Sequence, residues 1–383
     1  MSRIAVLGAG IVGRAAAWDL VRRDHEVVLA DADGAAAVRV AGEVGAVAAD
    51  PVDAADPEAV AALIAGAAVL VSAVPYRFGL GLAEAAIDAG SHYLDFGGNP
   101  SVVAAQLALD DRARRAGVTV VPDCGLAPGL ANLLAVADVA ALGDGPVDRV
   151  AMRVGALPAA PTGVLGYQLT FSPEGLINEY AEFCEVLRDG KVTAVEPLTE
   201  FEIVEWPGRG PLEAFQTAGG TSTLPHRWAG RVSELDYKTL RYPGHGRIFR
   251  ALLDLGLFDE EPTRIGGATV APRAVLVEAL RNRLPRSDDD LVLVRTWATA
   301  RRDGVPVSAG HQLVDRHDGR FSALARTTAF PATALAHLLA TGAEGVLGGP
   351  GARTMDAAAD PEVLVAELRP LGIDVEPYLP PTR

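Results

Sequence analysis

An α/β fold in two domains is predicted, a doubly wound Rossmann-type domain followed by an α+β domain with a mixed or antiparallel sheet. Three observations predict it. Short apolar runs alternate regularly with helical stretches over the first third of the chain, a glycine-rich turn joins the first strand to the first helix, and after Pro122 the strands become longer and alternating.

The first-domain strands are expected at residues 4–8, 26–30, 46–49, 68–74, 92–96 and 119–121, with helices beginning near Ile11, Ala35, Pro57, Gly79 and Ser101. Asp56-Pro57 combines a capping side chain with proline in the first helical turn. Ala68-Val69-Leu70-Val71 is continuously apolar, as suits a parallel strand covered on both faces. Pro128-Gly129-Leu130 opens an apolar helix that ends near Gly143. Beyond it, residues 231–242 read as a half-buried strand. Residues 291–300 and 306–315 read as a hairpin about Asp303-Gly304, and 321–328 as a further strand. Helical periodicity returns at 332–340 and 361–369. The expected divisions are residues 1–125, a substrate-binding and dimerisation domain over 126–328, and a helical segment, 329–383, that packs back on the first domain.

Composition narrows the partners. The 383 residues carry 34 basic against 49 acidic side chains, a net charge of −15 that disfavours a nucleic-acid backbone. Every long apolar stretch is interrupted by glycine, proline or charge, so no membrane span is expected. The start runs directly into a strand pattern without a leader's apolar region, and a cytoplasmic protein is expected. Cys124 and Cys184 form neither a disulfide framework nor a metal-ligand pattern, and no metal is expected.

Gly8-Ala9-Gly10-Ile11-Val12-Gly13 lies between a strand and a helix. Gly8 permits a tight turn, Gly10 allows backbone to approach a pyrophosphate, and Gly13 allows helix to pack on strand. The amides at the start of the helix, at Ile11 and Val12, then face the anion. Asp31 ends the second strand about 20 residues on, where an acidic side chain bonds the ribose hydroxyls and repels a 2′-phosphate. Ala32-Asp33-Gly34 offers no arginine, so NAD is expected rather than NADP. Asp53 could touch adenine or simply cap its helix. Ala73, Val74 and Pro75 end the fourth strand near the nicotinamide-side ribose.

The order of GAGIVG, SAVPYRF, DFGG, PDCGLAPGL, TAGGTSTLP and YKTLRYPGH resembles the saccharopine dehydrogenase superfamily, and within it the lysine 6-dehydrogenases. The likeness runs from residue 1 to about residue 340; PLEAFQTAGGTSTL and YKTLRYPGH are its specific parts. It implies a two-domain NAD-dependent amine dehydrogenase acting on a small amine or amino acid, dimeric through its second domain.

Oxidation of an amine needs a neutral nitrogen, a base near neutrality and a positioned carbon. Ligands of open parallel sheets sit beyond the strand ends, which selects Tyr76, Asp95 and Asp123, with Cys124 beside it as an inert thiol. Asp123 is a candidate to hold the substrate ammonium. His245, between glycines, is the expected acid/base, and Lys238 an alternative if desolvated. Arg241 is a candidate fork for a substrate carboxylate or else a structural ion pair. Gly220, Thr221 and Ser222 read as a glycine turn opening a helix whose amides could receive a carboxylate. Strand alternation separates Lys238 from Arg241, so both cannot face one cleft without a bulge. Three functions remain open: oxidation of the terminal amine of L-lysine or a similar amino acid, a saccharopine- or carboxynorspermidine-type reaction on a secondary amine, and NAD binding without turnover. The second needs extra cations, for which Arg77, Arg153, Arg209 and Arg227 are available.

Overall fold

The structure, a computed structural model, describes residues 1–380 and comprises two units. The first is Met1–Ala137 with Ala325–Val375; the second is Asp138–Leu324 with the stretch from Glu376.

In the first unit, strands Arg3–Leu7, Glu26–Ala30 and Val47–Ala48 lie to one side of the sheet, and Val69–Ser72, His92–Asp95, Thr119–Val121 and Gly351–Ala352 to the other. All pairings are parallel, and the order reverses between Arg3–Leu7 and Val69–Ser72. Val69–Ser72 is buried throughout, as its unbroken apolar run requires. The helices start where side-chain caps stand: Asp33 accepts from Ala35 and Ala36, Asp56 from Glu58 and Ala59, and Asn99 from Ser101 and Val102. Two elements differ from expectation. A sixth helix, Asp110–Ala116, precedes the last of the six expected strands, and the C-terminal segment supplies a seventh strand besides its helices.

In the second unit a mixed sheet is built around Val147–Pro158. That strand pairs parallel with Val232–Arg241 and antiparallel with Asp290–Arg302. Gly210–Gln216 continues the sheet beyond Val232–Arg241, and Val305–Arg316 continues it beyond Asp290–Arg302. The hairpin turns at Asp303 and Gly304, both with positive φ, as a two-residue turn demands. Tyr180, Phe215, Phe249 and Leu276 belong to one apolar cluster; Leu157, Trp206, Leu240 and Leu293 form another.

The strand expected over 321–328 is instead the start of a 19-residue helix, Ala323–Thr341. Both carboxylate oxygens of Asp290 accept from its first amides, Ala323 and Leu324. Its buried sides are apolar nearly all round, so the local run carries no period by which to tell helix from strand. No helix among the described residues is long and apolar enough to cross a membrane.

Candidate active site

At the switch point of the first sheet, Gly8 adopts φ +113°, and a Cβ there would stand 2.6 Å from the Ala73 carbonyl. A Cβ on Gly13 would lie 1.9 Å from the Gly8 carbonyl. A Cβ on Gly10 would meet nothing within 4 Å. Gly8 and Gly13 are therefore fixed by close packing, whereas Gly10 fronts open space. Helix Ile11–Arg22 starts beneath it with no side-chain cap and no acidic residue in its first turn. A diphosphate fits such a cradle, since the uncapped amides and the helix dipole both favour an anion.

Asp31 is tied to the same turn. One oxygen accepts from the Ala9 amide at 2.7 Å and the other from Asp33 at 2.9 Å. Each oxygen keeps a lone pair for a ribose hydroxyl. Ala73 follows the fourth strand, its amide bonded to the Leu7 carbonyl, with Val74 half-buried and Pro75 exposed behind it. Asp53 does not cap its helix, which Asp56 does; its side chain accepts from the Ala55 amide at 2.9 Å in the turn before it. The neighbouring Val52 enters the core.

Asp95 is corrected from substrate ligand to scaffold. Tyr93 OH at 2.9 Å and Gln106 Nε2 at 2.6 Å donate to one oxygen, and the amides of Gly97 at 2.9 Å and Asp123 at 3.3 Å to the other. Burial raises its pKa against the pull of these four donors. Asp95 thereby fixes Asp123, which is buried at φ +59°. A Cβ on Gly97 would fall 1.9 Å from the Asp123 carboxylate. Cys124 is buried and its thiol pushed well up, an inert group as expected. Tyr76 stands on a short 3₁₀ turn, 39% exposed, against Gly98.

In the second unit the alternation of Val232–Arg241 divides the candidates. Lys238 lies on the face of Asp236, where Nζ donates to the Glu200 carbonyl at 2.6 Å and to Glu202 at 3.2 Å. Arg153 bridges Glu202 and Asp236 on that face, over the Trp297 ring. Lys238 is therefore a member of a buried ionic ladder rather than a base.

His245 is also corrected. It is 1% exposed and stacked on Phe249, and burial followed by the nearby Arg241 charge lowers its pKa to about 3. A neutral ring with Nδ1 3.0 Å from the Leu165 carbonyl must donate there, so Nε2 accepts from Tyr180 OH at 3.0 Å. Tyr180 in turn accepts from Arg241 Nε at 3.0 Å. This relay holds a guanidinium; it does not move protons near neutrality.

Arg241 sits at its end. Nη1 donates to the Leu240 carbonyl, the Tyr167 ring lies under the group, and Nη2 faces Glu179 at 4.0 Å. Burial opposes its charge, but Tyr180, Tyr167 and Glu179 outweigh that and its pKa is raised. Glu213 caps helix His245–Asp254, accepting from Gly244 at 2.8 Å and Gly246 at 2.5 Å. The turn at Gly220, Thr221 and Ser222 does not offer a helix terminus of use. The helix after it, Leu224–Trp228, has five residues, the Thr221 hydroxyl donates to the Glu185 carbonyl, and Gly220 backs onto the Tyr237 ring.

Glu179 and Tyr180 escaped the sequence reading. Helix Pro173–Ala181 buries Leu176, Ile177 and Tyr180, and an acid adjoining such an apolar stripe was the available signal.

A seven-stranded parallel sheet with this glycine turn, joined to a mixed-sheet unit, defines a two-unit protein with a dinucleotide-binding fold. The chain belongs to the saccharopine dehydrogenase family. The family's NADP-binding domain matches residues 4–121 and its C-terminal domain residues 125–373. Saccharopine dehydrogenase (NADP(+), L-glutamate-forming) of Pyricularia oryzae is 28% identical over 214 residues, covering 54% of this chain and 47% of that protein. The Saccharomyces cerevisiae protein of the same name is 23% identical over 258 residues, 66% and 57% of the two chains. The chain thus spans about half the length of these curated relatives. The apo structure of saccharopine dehydrogenase (L-Glu forming) from Saccharomyces cerevisiae has the same fold, with a TM-score of 0.81 at 20% identity over 99% of this chain and 100% of that one.

Proposed function

We propose that the protein oxidises the terminal amine of L-lysine or a similar amino acid with NAD, with hydrolysis of the resulting imine releasing ammonia. Arg241 carries this reading: a buried guanidinium, fixed by Tyr180 and a backbone carbonyl, with Nη2 turned toward Glu179. Such a fork is suited to a substrate carboxylate. When bound, the nicotinamide accepts the hydride. Within the first unit, Asp95 holds Asp123, an acid suited to an ammonium.

Asp31 supports NAD over NADP although the family's domain is described as NADP-binding. Its two oxygens, anchored to Ala9 and Asp33, would stand against a 2′-phosphate, and Ala32 brings no countercharge. The homodimer and cytoplasmic location belong to the same proposal.

The family relatives favour a second reading, a saccharopine-type reaction on a secondary amine. It requires further cations for further carboxylates, and of the candidates Arg153 is already committed to Glu202 and Asp236. The deciding assay supplies L-lysine, L-ornithine, diamines, saccharopine and carboxynorspermidine, each with NAD and with NADP. The expected outcome is NADH formation from L-lysine, with NADP at least tenfold poorer in kcat/KM. Turnover of saccharopine alone would establish the second reading, and binding of NADH without turnover of any amine would sink both.

A further inference from the structure

We infer that Glu179 and Arg241 form a receptor for the zwitterionic head of an α-amino acid, in which Glu179 takes the α-ammonium and thereby selects the substrate class. The inference rests on the reading of Arg241 as the carboxylate anchor.

Glu179 is pinned at the end of helix Pro173–Ala181, where its carbonyl accepts from the Ala218 amide at 2.9 Å. Its carboxylate accepts no hydrogen bond from the described residues, and Arg241 Nη2 is its ionic partner at 4.0 Å. A closed carboxylate–guanidinium fork would sit at roughly 2.7–2.9 Å. The gap persists because Tyr180 and the Leu240 carbonyl hold the guanidinium from its other edge. A carboxyl group and a guanidinium thus stand side by side, each with hydrogen-bonding capacity unspent.

The groups facing Glu179 are Arg241, Tyr167, Tyr180 and Tyr237. Burial pushes all three phenols up, so at neutral pH they are uncharged. Glu179 keeps 37% of its side-chain surface accessible, yet protein encloses it enough to lift its pKa to about 7 despite Arg241.

An α-amino acid carries carboxylate and ammonium on one carbon, the mirror of this pair. A carboxylate without that ammonium would place like charge beside Glu179, a cost that discriminates by repulsion as well as by lost attraction. Lysine satisfies both groups; 6-aminohexanoate, of equal reach, satisfies only Arg241.

The test is calorimetric titration of L-lysine and 6-aminohexanoate into the wild type, Glu179→Gln and Glu179→Asp, with NAD-linked turnover measured in parallel. The wild type is expected to bind lysine at least tenfold more tightly. Glu179→Gln should erase that preference by weakening lysine alone, and Glu179→Asp should keep part of it, which a merely structural role would not produce. A preference that survives in Glu179→Gln, or is missing from the wild type, overturns the receptor. A preference present without NADH formation from lysine upholds the receptor and overturns the proposed oxidation instead.

Discussion

At the scale of the residue, burial decides chemistry. A histidine between glycines, seven residues after a strand lysine, has the residue type of an acid/base; its surroundings remove the role. The His245 ring lies among Phe215, Phe249, Tyr167 and Tyr180, donating to Leu165 and accepting from Tyr180. A histidine whose folded pKa is depressed from 6.5 to about 3 favours folding fully above 6.5, and that contribution is lost as pH falls through this window. Between pH 6.5 and 5 the loss from this group is about 2 kcal/mol. Denaturant unfolding of the wild type between pH 7 and 5 should therefore show that decline, and His245→Gln, which cannot titrate, should lack it. Equal acid sensitivity in both proteins would mean that His245 is not the neutral core residue described. The kcat/KM profile should likewise carry no inflection from His245 near 6.5.

At the scale of the element, the glycine turn separates folding from binding. Gly13→Ala drives a methyl into the Gly8 carbonyl, where backbone cannot give way. Gly10→Ala meets open space at an ordinary φ of −73°. Gly10→Ala is thus expected to melt with the wild type in the absence of cofactor while losing tenfold or more in NAD affinity, whereas Gly13→Ala should be destabilised even without cofactor. Thermal melting with NAD titration distinguishes them, and a destabilised cofactor-free Gly10→Ala would refute the assignment. This turn was legible because local spacing suffices: strand, glycines, helix and Asp31 lie within one βαβ stretch. The parity of Val232–Arg241 was legible for the same reason, and it correctly separated Lys238 from Arg241. What spacing does not carry is the long-range partner. Glu202 and Glu200 claim Lys238 from another strand and its approach, Tyr180 and Leu165 claim His245, and four donors claim Asp95. Asp290 likewise makes a helix start at Ala323, from more than thirty positions away in sequence, where β-prone Thr327 and Thr328 read as strand.

At the scale of the whole molecule, the first unit is discontinuous, and its second piece is structural rather than decorative. Gly351 and Arg353 donate to the Val118 and Val120 carbonyls, adding a parallel strand to the sheet edge, and Ala352 donates to Asp110. The Thr333 hydroxyl donates to the fully buried Asp19, and Arg326 donates to the Leu371 carbonyl across the returning segment. Phe330, Leu335 and Leu338 are buried along its long helix. Burying a large apolar side chain contributes about 1.5–3 kcal/mol, so losing these three is comparable with the 5–15 kcal/mol by which a domain is ordinarily stable. Residues 1–137 expressed alone, a stretch that contains the entire dinucleotide motif, should accordingly aggregate or lack a cooperative melt. The same residues joined by a flexible linker to 325–375 should melt cooperatively and gain stability on addition of NAD, since a ligand that binds only the folded state raises its melting temperature. Cooperative folding and NAD binding by residues 1–137 alone would show that the returning segment is dispensable to the nucleotide-binding unit.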